Sequence, residues 1–163
     1  MTMTDISMTD TNVTGGNLTG SSLTEGTETQ PTIGGRASVR IYAADTVITI
    51  PPDASLLAVA DELVGDQVGI LVVGSMHDVE GVISERDIVR AVADGLDPDE
   101  TTARELASKK VVWCDPSATV HEVAELMMEE YVRHVLLGED NRLVGIVSAR
   151  DLLGAYAMEP DED

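Results

Sequence analysis

Residues Gly81 to Val89, Gly-Val-Ile-Ser-Glu-Arg-Asp-Ile-Val, return 64 positions later as Gly145 to Leu153, Gly-Ile-Val-Ser-Ala-Arg-Asp-Leu-Leu. The same shift, with no insertion, lays Pro52, Ala54, Val59, Ala60, Val68 and Gly74 on Pro116, Ala118, Val123, Ala124, Val132 and Gly138. Further back it matches Arg40, Ala43 and Val47 to Arg104, Ala107 and Val111. About 15 of roughly 56 aligned pairs are identical, over copies near 38–93 and 102–157. A period longer than that of common solenoids, present only twice, predicts two small domains folded against each other. A unit of about 55 residues buries too little surface to be stable alone, so a shared interface is expected.

Charge narrows the functions. Thirty acidic residues against ten basic give a formal charge of −20. That argues against nucleic acid, whose phosphates require clustered Lys and Arg, and against anionic membrane surfaces. The single cysteine, Cys114, excludes a disulfide framework and a paired-cysteine metal site. The N-terminus lacks the basic and apolar regions of a secretory signal. No apolar run reaches the ~18 residues of a membrane span. The expectation is a cytoplasmic protein without membrane contact.

Residues 1–37 read as a Thr- and Gly-rich tail too polar to offset its ordering entropy, and 159–163 as a short acidic tail. Between them lie a first domain over 38–98 and a second over 99–158. Each repeat reads α-β-α-β-β-α. A short helix opens it, Ser38 to Ala44 and Thr102 to Ser108. A strand follows, Val47–Ile50 and Val111–Cys114, closed by Pro52 and Pro116. Leu56, Val59, Ala60 and Leu63, and likewise Val120, Val123, Ala124 and Met127, then recur at helical spacing. Thr102 with Glu105, and Thr119 with Glu122, fit capping boxes. Two strands come next, Val68–Val73 and Gly81–Ile83, and again Val132–Leu137 and Leu143–Val147. A last helix starts at Ser84 or Ser148. Nearly unbroken apolar strands imply sheets covered on both faces.

The segment Gly-x-x-Ser-x-Arg-Asp stands where a strand hands over to a helix, whose unpaired N–H groups favour an anion. Ser84 and Ser148 offer hydroxyls to phosphate, Arg86 and Arg150 a charged fork, and Asp87 and Asp151 acceptors for a ribose diol. Gly81 and Gly145 leave room for close backbone approach. The plainer reading is a helix N-cap with an acidic first turn; both readings hold together if the cap turns toward a ligand when one binds.

These residues resemble a tandem pair of cystathionine-β-synthase (CBS) domains, a Bateman module, whose signature is a small residue, two apolar residues, Ser or Thr, two variable positions and Asp. Gly81 to Asp87 and Gly145 to Asp151 both satisfy it, and the resemblance spans about 38–157. It implies an α/β (α+β) fold of two β-α-β-β-α units packed with pseudo-twofold symmetry, two clefts for adenosine compounds, and dimerisation of modules into a disc. By position it puts Asp87 and Asp151 on ribose hydroxyls, Ser84 and Ser148 on phosphate or ribose, and Arg86 and Arg150 near phosphate. Val47, Ile48, Val111 and Val112 would line the base pocket, flanked by Val68, Gly69, Val132, Arg133 and His134. The stretch Gly95-Leu96-Asp97-Pro98 through Thr102 to Ala107 resembles stand-alone bacterial pairs. One departure is Leu136, where the family often carries Pro, so the strand end there is expected to differ. A second site, gathering Lys109, Lys110, Arg133, His134 and Arg150, is expected to bind more tightly than a first with Arg86 facing Gly69 and Ile70.

Other candidates are weaker. His77 is expected in a turn, His121 on the wet side of a helix start, and Cys114 as a small buried hydrophobe, so no metal site is expected. Trp113 would cover a domain or dimer seam, or crowd the second pocket. Met127 and Met128 would pack at a domain or subunit contact. No nucleophile stands beside a base, so catalysis is not expected. The first reading is a sensor of AMP, ADP, ATP or a related adenosine ligand, with no required cofactor, acting as a homodimer on a target carried by another polypeptide. The others are a ligand-free interaction scaffold, and a metal- or redox-linked stress protein using Cys114 and the histidines.

Overall fold

A computed structural model describes residues 34–157 other than Asp45, Asp140 and Asn141. The tail expected over 1–37 falls outside these residues except at its end, where the expectation fails. Gly34–Arg36 forms a 3-10 turn with Gly34 and Gly35 buried, and the Ala37 carbonyl accepts from the Val120 N–H at 2.9 Å.

Each repeat makes one three-stranded sheet. In the first, β1 (Thr49–Ile50) runs parallel to β2 (Ile70–Ser75), which pairs antiparallel with β3 (Asp78–Ser84). In the second, β4 (Trp113–Cys114), β5 (His134–Glu139) and β6 (Arg142–Ser148) repeat that order. Successive strand residues point to opposite faces, and both faces here are apolar. Leu71, Val73 and Ile83 pack with Val59 and Leu63 of helix α1 (Leu56–Gly65). Val135, Leu137 and Val147 pack with Val123 and Met127 of α4 (Val120–Glu130). The residues between them, Val72 in one sheet and Leu136 and Ile146 in the other, join a third cluster with Val47, Val82 and Val111, through which the two sheets meet. Helices α2 (Glu85–Ala93) and α5 (Ala149–Ala157) follow the last strand of each sheet.

The predicted caps are present. Glu122 Oε2 accepts from the Thr119 N–H at 2.7 Å and hydroxyl at 2.8 Å, and Glu105 does the same for Thr102, at 2.8 Å each. Leu136 does not end its strand. Its N–H donates to the Val112 carbonyl at 2.9 Å, a bond proline cannot make.

Several bounds shift for physical reasons. The first strand of each copy pairs over only two residues, because Val47 and Val111 turn into the inter-sheet cluster. The middle strands begin two residues later than expected. Gln67 (φ 55°) and Tyr131 (φ 56°) end the preceding helices in the left-handed region. There the Val68 N–H reaches the Leu63 carbonyl at 3.1 Å and that of Val132 reaches Met127 at 3.0 Å, closing each helix end with a six-to-one bond.

The opening segments depart most from expectation. Residues 38–44 make one 3-10 turn, Val39–Ile41, and 102–108 a four-residue helix, α3 (Ala103–Leu106). Each lies on the other repeat. Val39, fully buried, belongs to the second repeat's core, with Tyr42 and Ala43 packed beside it. Ala103, also fully buried, belongs to the first repeat's core with Leu106 and Ala107. The Ala44 N–H donates to the Ile146 carbonyl at 2.9 Å, while Ser108 and Val82 exchange two such bonds at 2.9 and 3.1 Å. The boundary expected at 98/99 therefore divides the sequence copies but not the cores.

Candidate functional site

The two corners form where β3 enters α2 and β6 enters α5. Asp87 Oδ2 accepts from the Ser84 N–H at 2.8 Å and hydroxyl at 2.7 Å. Asp151 Oδ2 accepts from Ser148 at 2.7 and 2.6 Å, and the Asp151 N–H returns a bond to Ser148 Oγ at 3.2 Å. The capping reading of Ser-x-x-Asp thus holds in both copies. It turns one oxygen of each carboxylate inward and occupies both hydroxyls. Asp87 Oδ1 also meets Arg90 at 3.4 Å.

Two clefts open beside these corners. One, of about 550 Å³, is walled by Ser148, Arg150 and Asp151 of the second repeat, with Ile48, Val68 and Gly69 of the first opposite. The other, of about 410 Å³, sets Ser84, Arg86 and Asp87 of the first repeat against Val111, Val112 and Val132 of the second. Ile70, Arg133 and His134 stand between and line both. Of the predicted contacts, Val47 lines neither cleft; it is spent in the inter-sheet cluster.

The grouping expected from the sequence is overturned. Lys110 joins Arg86, not Arg150, and Gly69 faces Arg150, not Arg86. Lys109 lines neither cleft; its Nζ donates to the Glu80 carbonyl at 3.0 Å. The cause is the crossing of the opening segments, which carries Ala44, Thr46 and Ile48 to the second corner and Ser108, Lys110, Val111 and Val112 to the first. Gly81 and Gly145 serve that crossing. A Cβ at Gly81 would stand 2.6 Å from the Ser108 carbonyl oxygen, and one at Gly145 would stand 3.4 Å from Ala43 Cβ.

Three of the cations that line the clefts stand unpaired while others are engaged. Arg40, Arg104 and Lys110 pair with Glu139, Glu80 and Glu130 at 3.3, 2.9 and 2.9 Å. The guanidinium groups of Arg86, Arg133 and Arg150 make no ion pair or hydrogen bond among the described residues, although acids outnumber bases thirty to ten. All three face the clefts. His134, half-buried, is held below its ordinary 6.5 by burial first and by Arg133 second, against the opposing pull of Asp151 and Glu85, so it stands neutral at pH 7. Gln67, Glu85 and Tyr131 also line the clefts and were not predicted as contacts. The repeat offset pairs Gln67 with Tyr131 and was the signal available for them.

The remaining candidates separate. His77 is exposed in the β2–β3 turn, and His121 pairs with Glu125 at 3.5 Å. Burial, then Asp115, pushes the Cys114 thiol up to about 11, so it is protonated at neutral pH, whereas metal binding and thiol chemistry need the thiolate. No cluster of three metal-ligating side chains occurs among the described residues. The Trp113 ring lies over Gly138 beside Met76, His77 and Cys114, away from both clefts. Met127 is core, whereas Met128 is 77% exposed. No helix among the described residues is long and apolar enough to cross a membrane.

Comparison with known proteins agrees with this architecture. The CBS domain family profile matches residues 41–94 and 103–158. A Methanopyrus kandleri protein is 32% identical over 119 residues, spanning 71% of this chain and 61% of that one. Hypoxic response protein 1 of Mycobacterium tuberculosis is 36% identical over 100 residues, covering 60% of this chain and 70% of that one. A crystal structure of a hypoxic response protein I, described with two coordinated zinc ions, superimposes with a TM-score of 0.62 at 32% identity, covering 72% of this chain and 98% of that one. A hexameric CBS-CP12 protein from bloom-forming cyanobacteria gives a TM-score of 0.64 at 27% identity, covering 71% of this chain and 65% of that one.

Proposed function

Because this chain belongs to the CBS domain family and carries two copies of the domain, we propose that it is a regulatory module that takes an adenine nucleotide in the clefts between them. The observation that carries the reading is the set of three unpaired guanidiniums, Arg86, Arg133 and Arg150, converging on those clefts in a strongly acidic chain. Planar guanidiniums match the oxygens of a phosphate bidentately. Binding would draw the corner of one repeat toward the first strand of the other, and the ligand's unequal affinity for open and closed arrangements would shift the population between them. The role is regulatory rather than catalytic. Calorimetry on protein freed of bound ligand, with AMP, ADP, ATP and S-adenosylmethionine, is expected to give saturable heat with at least one. No heat with any of them would overturn the reading.

Self-association belongs to the same proposal. Val64, Val89 and Val92 on the α1–α2 side, and Met128 and Leu153 on the α4–α5 side, are large apolar residues at least 68% exposed, and such patches mark protein contacts. The cyanobacterial relative is hexameric. A homodimer is expected by sedimentation equilibrium, with Val89→Glu lowering the dimer fraction.

A second reading, a ligand-free interaction scaffold, draws on the caps at Ser84 and Ser148, which satisfy the corners without any ligand. It requires Asp87→Ala and Asp151→Ala to leave partner binding unchanged, whereas the nucleotide reading requires nucleotide to alter it. The zinc of the hypoxic response relative gives a metal-linked role less support here, since no cluster of three metal-ligating side chains occurs among the described residues.

A further inference from the structure

The two clefts are copies in backbone but not in charge. Around the Arg86 corner stand Arg86, Arg90, Lys110 and Arg133, against one carboxylate, Asp87. Around the Arg150 corner stand Arg150 and Arg133, against two, Asp151 and Glu85. Four cations to one anion leaves +3, while two to two leaves zero. His134 is common to both walls and is held below its ordinary value, so it adds no charge to either at neutral pH. The difference arises at aligned positions: Thr46 in one cleft is matched by Lys110 in the other, and only the Arg150 cleft receives Glu85.

Part of the excess is already engaged, Lys110 by Glu130 at 2.9 Å and Arg90 by Asp87 at 3.4 Å. Both cations are about two-thirds exposed, at 61% and 68%. Pairs of that kind are weak, so an entering phosphate exchanges them readily. The rims differ too. Tyr131, 95% exposed and held at φ 56°, edges the Arg86 cleft where Gln67 edges the other. A bulky side chain is uncommon in that backbone region, and an exposed ring offers a nucleobase a stacking face. The Arg86 cleft is the smaller, at about 410 against 550 Å³, so any selection between them rests on charge and not on room.

We infer that the clefts sort nucleotides by phosphate number, the Arg86 cleft taking a nucleoside di- or triphosphate and the Arg150 cleft a nucleoside or monophosphate. This rests on the nucleotide reading above. Arg133 serves both clefts and does not discriminate; Arg86, Lys110 and Glu85 do.

Amide ¹H–¹⁵N spectra of the whole chain, titrated with AMP or ATP, read each corner separately. ATP is expected to shift the Ser84–Asp87 amides at about tenfold lower concentration than the Ser148–Asp151 amides, and AMP to shift Ser148–Asp151 first. Arg86→Ala combined with Lys110→Ala is expected to weaken ATP by about tenfold or more, the loss of charge-assisted contacts, with AMP within about twofold. Arg150→Ala is expected to do the reverse, and the spectra also report that each variant is folded. If ATP fills both corners at one concentration, or the double variant leaves its affinity within about twofold, the sorting is overturned while nucleotide binding stands. If neither nucleotide moves either corner, nucleotide binding itself falls and the sorting with it.

Discussion

Asp151 holds the Ser148 N–H and hydroxyl through one oxygen, so the residue that would meet a ribose is also the residue that starts α5. Removing the hydroxyl should therefore be felt without any ligand. Ser148→Ala is expected to cost about 1 kcal/mol in urea unfolding, typical of a lost cap. Arg150→Ala, which breaks no pair, should stay within about 0.5 kcal/mol. His134 adds a pH dependence. Its folded value lies below the unfolded 6.5, so the unfolded chain binds the proton more readily. Its contribution is complete above about pH 6.5 and is lost as pH falls through the folded value. Urea midpoints should fall over that window, and His134→Gln should flatten the fall, although Arg133, Asp151 and Glu85 still face the site. Cys114, its thiol at about 11, should alkylate with iodoacetamide far more slowly at pH 7.5 than glutathione does, with the rate still climbing at pH 10. At this scale the motif residues were legible because a cap and an anion site use the same letters. The pairing of Lys110 with Arg86 was not, since it depends on how the repeats cross.

The strands and long helices were readable because their apolar patterns report burial within their own unit. The openings misled for the same reason. Val39, Tyr42 and Ala43 have helical spacing, yet that spacing records packing on the other repeat's core, and the backbone bonds that would have made a helix go across instead. The first strands were overread because Val47 and Val111 serve the inter-sheet cluster and not a ladder. The two signature glycines offer a measurement of the crossing. At Gly81 a methyl group would meet Ser108 backbone oxygen at 2.6 Å and Ala107 Cβ at 3.0 Å, while at Gly145 it would be in ordinary contact at 3.4 Å. Gly81→Ala is expected to destabilise by about 1–3 kcal/mol, as overpacking does, and Gly145→Ala by less than half of that, both read by thermal or urea unfolding.

Over the whole molecule the repeat announced two units and a shared interface, and it could not announce that each unit is closed by a piece of its neighbour. Fragments cut at the repeat boundary test this. Residues 38–98 lack Ala103 and Leu106, and residues 99–158 lack Val39. Each alone is expected to show poorly dispersed amide spectra, and an equimolar mixture to recover those of the intact chain. Independent folding of either fragment would count against the crossing. Reciprocal covering also gives the connection between α2 and α3 a thermodynamic office. It is a tether, held at its Pro98 and Thr101 carbonyls by the Leu57 and Leu56 N–H groups, and a short tether holds its two ends at an effective concentration of at least about the millimolar range. A single proteolytic nick there would replace that figure with the ordinary protein concentration, so a nicked molecule intact in a concentrated stock should come apart on dilution.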